Sequence, residues 1–486
     1  MYIGRKNELA FLESKYEEEK GQLIVLYGRR RVGKTETLRE FCKNKEHVFY
    51  SCRECTDYQQ LQAFSKKILQ KDMPIARYVR EFRDWEQALE SILEFPGAGK
   101  KLLVIDEFPY MCRGNSSIPS ILQNLWDEKL RDKNVMLILC GSAMSFIEKE
   151  LLAEKNPLYG RATGIYKMEA MPFADAVRFF PDYSPEEQLT AYAILGGVPH
   201  YLTQFDRKLS LEENITKNIL TKGCTLYSEI EFLLRQELRE TAVYNTIIEA
   251  IALGNTGLND IYNKTQIEKT KLSAYLRNLI DLEIVVREFS VSDTIKEHAN
   301  SSRGLYKLAD NFFRFWYSFV FPFFSELETG DAKGVCKYFV LPKLDKYVSV
   351  VFEEICREYI RFQNRNGQLP VHYAEIGRWW GKTQKTEKEQ ASGKEKKFTY
   401  ETEIDVMAID LSKKHVLLGE CKYKRTAFSM TEYLLLKKKE VYRESATVRY
   451  YLFSRSGFEK DLLKLSEEGK LVCVTVEEMV QTLLTQ

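Results

Sequence analysis

The stretch Gly28-Arg29-Arg30-Arg31-Val32-Gly33-Lys34-Thr35 constrains this chain more than any other. It follows the apolar run 23–27, which reads as a buried strand, and precedes residues 37–41, which begin a helix. A strand that stops, bends and restarts as a helix needs glycine at the bend, and the spacing GxxxxGK[ST] supplies it at both ends. The backbone N–H groups of such a loop point inward and, with the positive end of the next helix, gather phosphate oxygens. Lys34 would reach the β- and γ-phosphates of ATP. Thr35 would give its hydroxyl to Mg²⁺, which otherwise keeps mostly water and phosphate oxygens as ligands.

A second signal lies further along, where four apolar residues, 102–105, form a buried strand that ends at Asp106-Glu107. This is a Walker B pattern: Asp106 would hold the magnesium through water, and Glu107 would polarise the attacking water. The run NVMLILCGS is another buried strand, and its Ser142 falls where P-loop ATPases put a polar residue between the two Walker motifs to sense the γ-phosphate. A serine after glycine also simply caps a helix, so both roles stay open for it. HVFYSC at 47–52 and GIYKMEAM at 164–171 supply two more strands, giving a parallel sheet covered by helices on both faces.

With 486 residues the chain exceeds what one core can hold, so it must divide. The expected segments are 1–205, 206–310 and 311–486. A formal net charge of +2 gives no global attraction to nucleic acid or membrane, so contact with DNA would need a local patch. Ten cysteines are scattered, several inside apolar runs, which points to buried reduced thiols; Cys52 and Cys55 form a close pair without a second pair or histidine to complete a zinc site. The N-terminal stretch is charged and helical in pattern rather than a signal peptide. The most apolar stretch, 312–324, is interrupted by Arg314 and Pro322 and is too short to span a membrane, so it is expected to be a buried packing helix and the chain cytoplasmic.

YIGRKNEL, GRRRVGKT, LLVIDEF, PLYGRAT and LGGVPHYL occur in that order over roughly the first 205 residues. Together they resemble the prokaryotic AAA-like ATPases often called archaeal ATPases, related to the STAND class of signalling NTPases. The resemblance implies a small helical lid from which Gly197 to Pro199 contacts nucleotide, and Arg161 as a candidate arginine for the γ-phosphate. Gly196, Gly197 and Pro199 also read as a helix stop and turn, and Arg161 as a surface arginine.

From residue 242 three short helical patterns precede two strand-like runs, VREFSVSD and SRGLYKLAD, the order of a winged helix. Leu272, Leu276 and Leu279 would pack inward on its third helix, while Lys271, Ser273 and Arg277 would face out toward DNA or a partner. Beyond it comes a helix over 348–361 with Glu353 and Glu354, and then a charged tract, 382–397, expected to be a solvated loop or hairpin tip. Two strands follow. One carries Asp405 and the next ends at Glu420-Cys421-Lys422, with Glu420 and Lys422 on one face by period-2 alternation.

Two carboxylates and a lysine make a hard-cation site suited to water activation against a phosphodiester. The arrangement resembles the PD-(D/E)xK nuclease superfamily, and residues 310–486 resemble the domain of unknown function numbered 234. The resemblance implies Asp405 as motif acid, Glu420 and Lys422 as the ExK pair, and Glu353 or Glu354 as the acid from the helix, with Ile404 where the fuller pattern has proline. Lys424, Arg425 and the triplet Lys437, Lys438 and Lys439 could line a phosphate path. A salt-bridged sheet without catalysis is the alternative. The fold class expected is therefore α/β: a P-loop NTPase sheet with helical lid, a winged helix, and an α/β restriction-endonuclease-like domain. The expected partners are ATP with Mg²⁺, DNA and a second copy of the chain.

Overall fold

The computed structural model describes residues 2–71, 73–291, 304–388, 395–439, 441–442 and 446–485. The chain divides into two compact units, one of residues 1–171 with 198–200, the other of 172–197 with 201–486. The segment 172–197, assigned above with the first 205 residues, thus clusters with the second unit.

In the first unit the helix α1 (Lys6–Glu17) leads into β1 (Gln22–Tyr27), α2 (Lys34–Cys42), β2 (His47–Ser51) and α3 (Asp57–Ile68). Later come β3 (Lys101–Asp106), β4 (Val135–Gly141) and β5 (Gly164–Lys167). The strand order is β2-β3-β4-β1-β5 and every neighbouring pair is parallel. The three inner strands β1, β3 and β4 are buried along nearly their whole length, because alternate residues face helices on both sides of the sheet. Leu23, Val25, Leu103, Ile105, Leu137 and Leu139 enter one core, whereas Ile24, Leu26, Leu102, Val104, Ile138 and Cys140 enter the core on the opposite face. Each such buried aliphatic side chain contributes about 1.5–3 kcal/mol relative to exposure, so the strand ends are held by two cores. The helix α2 starts at Lys34, three residues before the sequence pattern placed its start.

In the second unit the helix Pro185–Leu195 opens on a capping box between Ser184 and Glu187 and is buried along most of its length. Helices Thr241–Ala252, Leu258–Thr265 and Lys269–Asp281 precede β6 (Val285–Glu288) and β7 (Leu305–Leu308), an antiparallel pair. Residues 292–303, in the expected loop between these strands, lie outside the described residues. As expected, the aromatic stretch forms a buried helix, Asn311–Phe319, in which Trp316 Nε1 donates to Tyr227 O at 2.8 Å.

The helix Leu341–Arg365 leads to β8 (Glu375–Lys388), β9 (Glu395–Ile409), β10 (His415–Lys422), β11 (Thr447–Ser454) and β12 (Val472–Thr475). Their order is β12-β11-β10-β9-β8, with β8, β9 and β10 antiparallel and β10, β11 and β12 parallel. The charged tract is not a loop throughout: 382–388 and 395–397 are paired strand arms, and 389–394 lie outside the described residues. Backbone pairing, which needs no apolar side chains, accounts for that difference. Among the described residues no helix is long and apolar enough to cross a membrane, and all ten cysteines are free.

Candidate functional site

At the carboxyl end of β1 the chain turns sharply. A Cβ on Gly28, whose φ is 154°, would sit 2.2 Å from Met168 O, so only glycine fits there. Arg31 adopts φ 70° and Gly33 φ 94°, and α2 begins directly after them. Arg29, Arg30 and Val32 complete the loop. Lys34, 6% exposed, donates from Nζ to Gly28 O at 2.8 Å and to Arg29 O at 3.0 Å. Burial holds its ammonium below the ordinary lysine value, while the charges of Glu107 and Asp106 act against that fall.

Thr35 Oγ1 donates to Asp106 Oδ2 at 2.9 Å, bringing together two residues 71 positions apart. Asp106 is buried at the end of β3, and its Oδ1 accepts from Glu107 N at 3.1 Å. Glu107 itself takes the left-handed φ 52° and starts the next helix. Its Oε2 accepts from Ser142 Oγ at 2.9 Å and from Ser142 N at 3.2 Å, so the serine at the end of β4 holds the carboxylate. A Cβ on Gly33 would lie 3.6 Å from Pro199 Cγ, which places Pro199 beside the loop.

Arg161 is not part of this cluster. It makes a two-pronged ion pair with Asp127, at 2.9 and 3.0 Å from Nε, and donates to Pro157 O at 2.8 Å. A guanidinium whose planar fork is filled by one carboxylate has little capacity left for a phosphate. Sequence reasoning missed Arg5. It is 3% exposed, donates to Val32 O at 2.6 Å and to Glu8 Oε1 at 2.7 Å, and so clamps the phosphate loop from outside. The available signal was an arginine following Gly4 at the start of α1.

Mg²⁺ fits the residues present, because the Thr35 hydroxyl and Asp106 carboxylate are adjacent hard oxygen donors. Such a sheet receives a triphosphate at the ends of β1 and β3, and that sets the class of this chain among the P-loop ATPases.

Residues 2–205 match the family described as an ATPase domain predominantly from Archaea, and residues 316–443 match a family of archaeal and bacterial proteins of unknown function. An uncharacterized protein of Methanocaldococcus jannaschii is 30% identical over 426 residues, 87% of this chain and 88% of that protein. The chain belongs to this archaeal-type ATPase family with its C-terminal domain of unknown function. An uncharacterized ATP-binding protein of the same organism is 56% identical over 46 residues, 10% of this chain and 78% of that protein. Among solved structures, a Walker-type ATPase of Pyrococcus abyssi aligns with TM-score 0.48 and 21% identity, covering 65% of this chain and 96% of its own.

In the second unit, β9 and β10 set Asp405 opposite Glu420, one position along from the Val406–Gly419 pair. Asp405 Oδ2 accepts from Cys421 N at 2.8 Å, and its carbonyl accepts from Arg357 at 2.7 Å. Glu420 accepts from Lys422 at 2.6 Å and from Lys439 at 2.8 Å. Burial, reinforced by the Glu420 charge, pushes the Asp405 carboxyl up to about 6. Burial and the Asp405 charge push Glu353 up to about 8.

Glu354 turns elsewhere, to Lys307 at 2.5 Å. Its burial acts to raise it, yet the Lys307 and Arg314 charges hold it below the usual carboxylate value. Lys424 pairs with Glu432, and the well-exposed Arg425 with Asp345, while Lys439 joins the cluster. Among the described residues no three His, Cys, Asp or Glu side chains form a group that could hold a metal ion. Around the expected ligands Glu353, Asp405 and Glu420, both Glu420 oxygens accept from lysines and one Asp405 oxygen accepts from an amide.

Proposed function

We propose that this chain binds ATP with Mg²⁺ at the loop Gly28 to Thr35 and hydrolyses it, and that nucleotide state governs the C-terminal part. The 2.9 Å contact between Thr35 and Asp106 carries the reading, since a loop hydroxyl beside a strand-end carboxylate is the pair that would hold the magnesium of a bound triphosphate. Lys34 turns its ammonium from the loop carbonyls to the β- and γ-phosphates, and the loop amides hold the phosphate oxygens. Bound Mg²⁺ would neutralise charge on the same oxygens. Glu107, oriented by Ser142, accepts the proton of the attacking water. Pro199 packs against the loop beside the nucleotide. The test is ATP turnover in Lys34→Ala: turnover should vanish with thermal melting unchanged, and unaltered turnover refutes the reading.

A second reading makes Glu353, Asp405, Glu420 and Lys422 a metal-dependent DNA-cleaving centre. What supports it is the crowding of three carboxylates, two of which are raised by burial and then by their mutual repulsion. It requires Glu420 to exchange its lysines for a cation. Plasmid cleavage with Mg²⁺ or Mn²⁺ that disappears in Asp405→Ala and Lys422→Ala supports it, and no cleavage under any metal leaves a STAND-like switch, marked by nucleotide-dependent self-association.

The helix Lys269–Asp281 exposes Lys271 and Arg277 while burying Leu272, Leu276 and Leu279, which supports a winged-helix contact with duplex DNA. Salt-sensitive duplex binding should weaken when both basic residues are changed to alanine.

A further inference from the structure

β2 is the outermost strand of its sheet and pairs with β3. Cys52 N, just past its end, donates to Asp106 O at 2.8 Å. In a parallel ladder a residue sends its N–H and C=O to the same neighbour, and the next residue sends both the other way. Counting back from Cys52, Tyr50 and Val48 face β3, so His47, Phe49 and Ser51 turn their amides and carbonyls to the open edge.

Along that edge runs a groove of about 730 Å³. Arg39 of α2 stands on one side, Lys66 and Lys67 of α3 on the other, and Arg53 at the end of the strand. None of the residues lining it is acidic. The Arg39 pair with Glu36 is well exposed on both sides and so holds the guanidinium weakly.

We propose that this groove binds an acidic, extended peptide segment of a partner protein, which adds a strand to β2. An added strand lies about 4.7–4.9 Å from its neighbour and meets the outward amides and carbonyls of Phe49 and Ser51. Its side chains alternate between the two faces of the sheet, so consecutive acidic residues meet Arg39 on one side and Lys66 and Lys67 on the other. The same charges oppose edge-to-edge pairing with a second copy, because lysines laid against lysines repel. Nucleic acid offers matching charge but no alternating N–H and C=O at strand spacing. Ser51 is in register with Asp106, so a docked peptide lies one strand away from the carboxylate that Thr35 contacts.

The test uses the full chain and a fluorescein-labelled ten-residue peptide in which Glu-Asp pairs alternate with Val-Thr pairs, so that adjacent acids point to opposite faces, followed by anisotropy. Two controls accompany it: the same peptide N-methylated at alternate residues, and a single-stranded oligonucleotide of equal charge. The peptide should bind, with affinity falling roughly tenfold or more both on N-methylation and in the Lys66→Glu/Lys67→Glu variant. ATP binding and thermal melting of that variant serve as the check on folding. The proposal is overturned by absent binding, by equal binding of the N-methylated peptide, by an unaffected double variant, or by preference for the oligonucleotide.

Discussion

Replacing Glu353 by glutamine should change stability in a way that depends on pH and has a fixed sign. In the folded chain, burial and the Asp405 charge push this carboxyl up to about 8. An unfolded glutamate titrates near about 4.3. The folded state therefore keeps a proton that the unfolded chain releases. The resulting stability is fully present below about pH 4 and is lost as pH rises toward 8. At about 1.4 kcal/mol per unit the full shift would be worth roughly 5 kcal/mol. The Glu353 side chain is 27% exposed, and Arg357 lies 3.9 Å away, so solvent and that cation screen the charge. The repulsion is also shared with Asp405. A value of about 2 kcal/mol is the reasonable magnitude. Glutamine keeps the shape and never ionises, so Glu353→Gln should be near neutral at pH 5 and more stable than the parent by about 2 kcal/mol at pH 9. Urea unfolding followed by tryptophan fluorescence at both pH values measures the difference. A gap between variant and parent that stays constant from pH 5 to pH 9 refutes the argument.

Glu107→Gln should lower ATP turnover by about 10²–10⁴-fold while nucleotide binding persists, measured by steady-state hydrolysis and calorimetry. Ser142→Ala, which removes the hydroxyl held at 2.9 Å from Glu107, should reduce kcat on the order of tenfold with KM little changed. Gly28→Ala forces a Cβ against Met168 O, so soluble protein should show a lower melting temperature and no detectable ATP binding. Arg5→Ala should weaken ATP binding by about 1–2 kcal/mol, because Val32 O loses a buried donor, and an unchanged Kd would show that the clamp is dispensable.

The nucleotide end of the molecule was legible because β1, β3 and β4 are buried on both faces and each motif residue sits beside its own strand end. Apolar runs mark the first, and local spacing marks the second. Arg161 was harder, since its partner Asp127 lies 34 positions away and nothing local distinguishes a carboxylate from a phosphate as its target. Glu353 and Glu354 were indistinguishable in sequence, yet one residue on a helix is a rotation of about 100°, which sends one toward Asp405 and the other to Lys307. The arms of the β8–β9 hairpin were missed because apolar periodicity does not register a strand rich in lysine, threonine and glutamine, whose pairing rests on backbone hydrogen bonds. The Lys439 approach to Glu420 depends on a turn after the helix Met430–Lys437, which composition alone does not fix.

The backbone passes between the two units three times, after residues 171, 197 and 200. Biochemical dissection inherits a constraint from that threading. A fragment ending at Met171 would retain the glycine loop and both acids but forfeit Pro199, the neighbour of Gly33. Comparing such a truncation with the intact polypeptide would therefore report the loss of a ring at the loop as well as the loss of everything downstream, and a graft restoring residues 198–200 would be needed to tell the two apart.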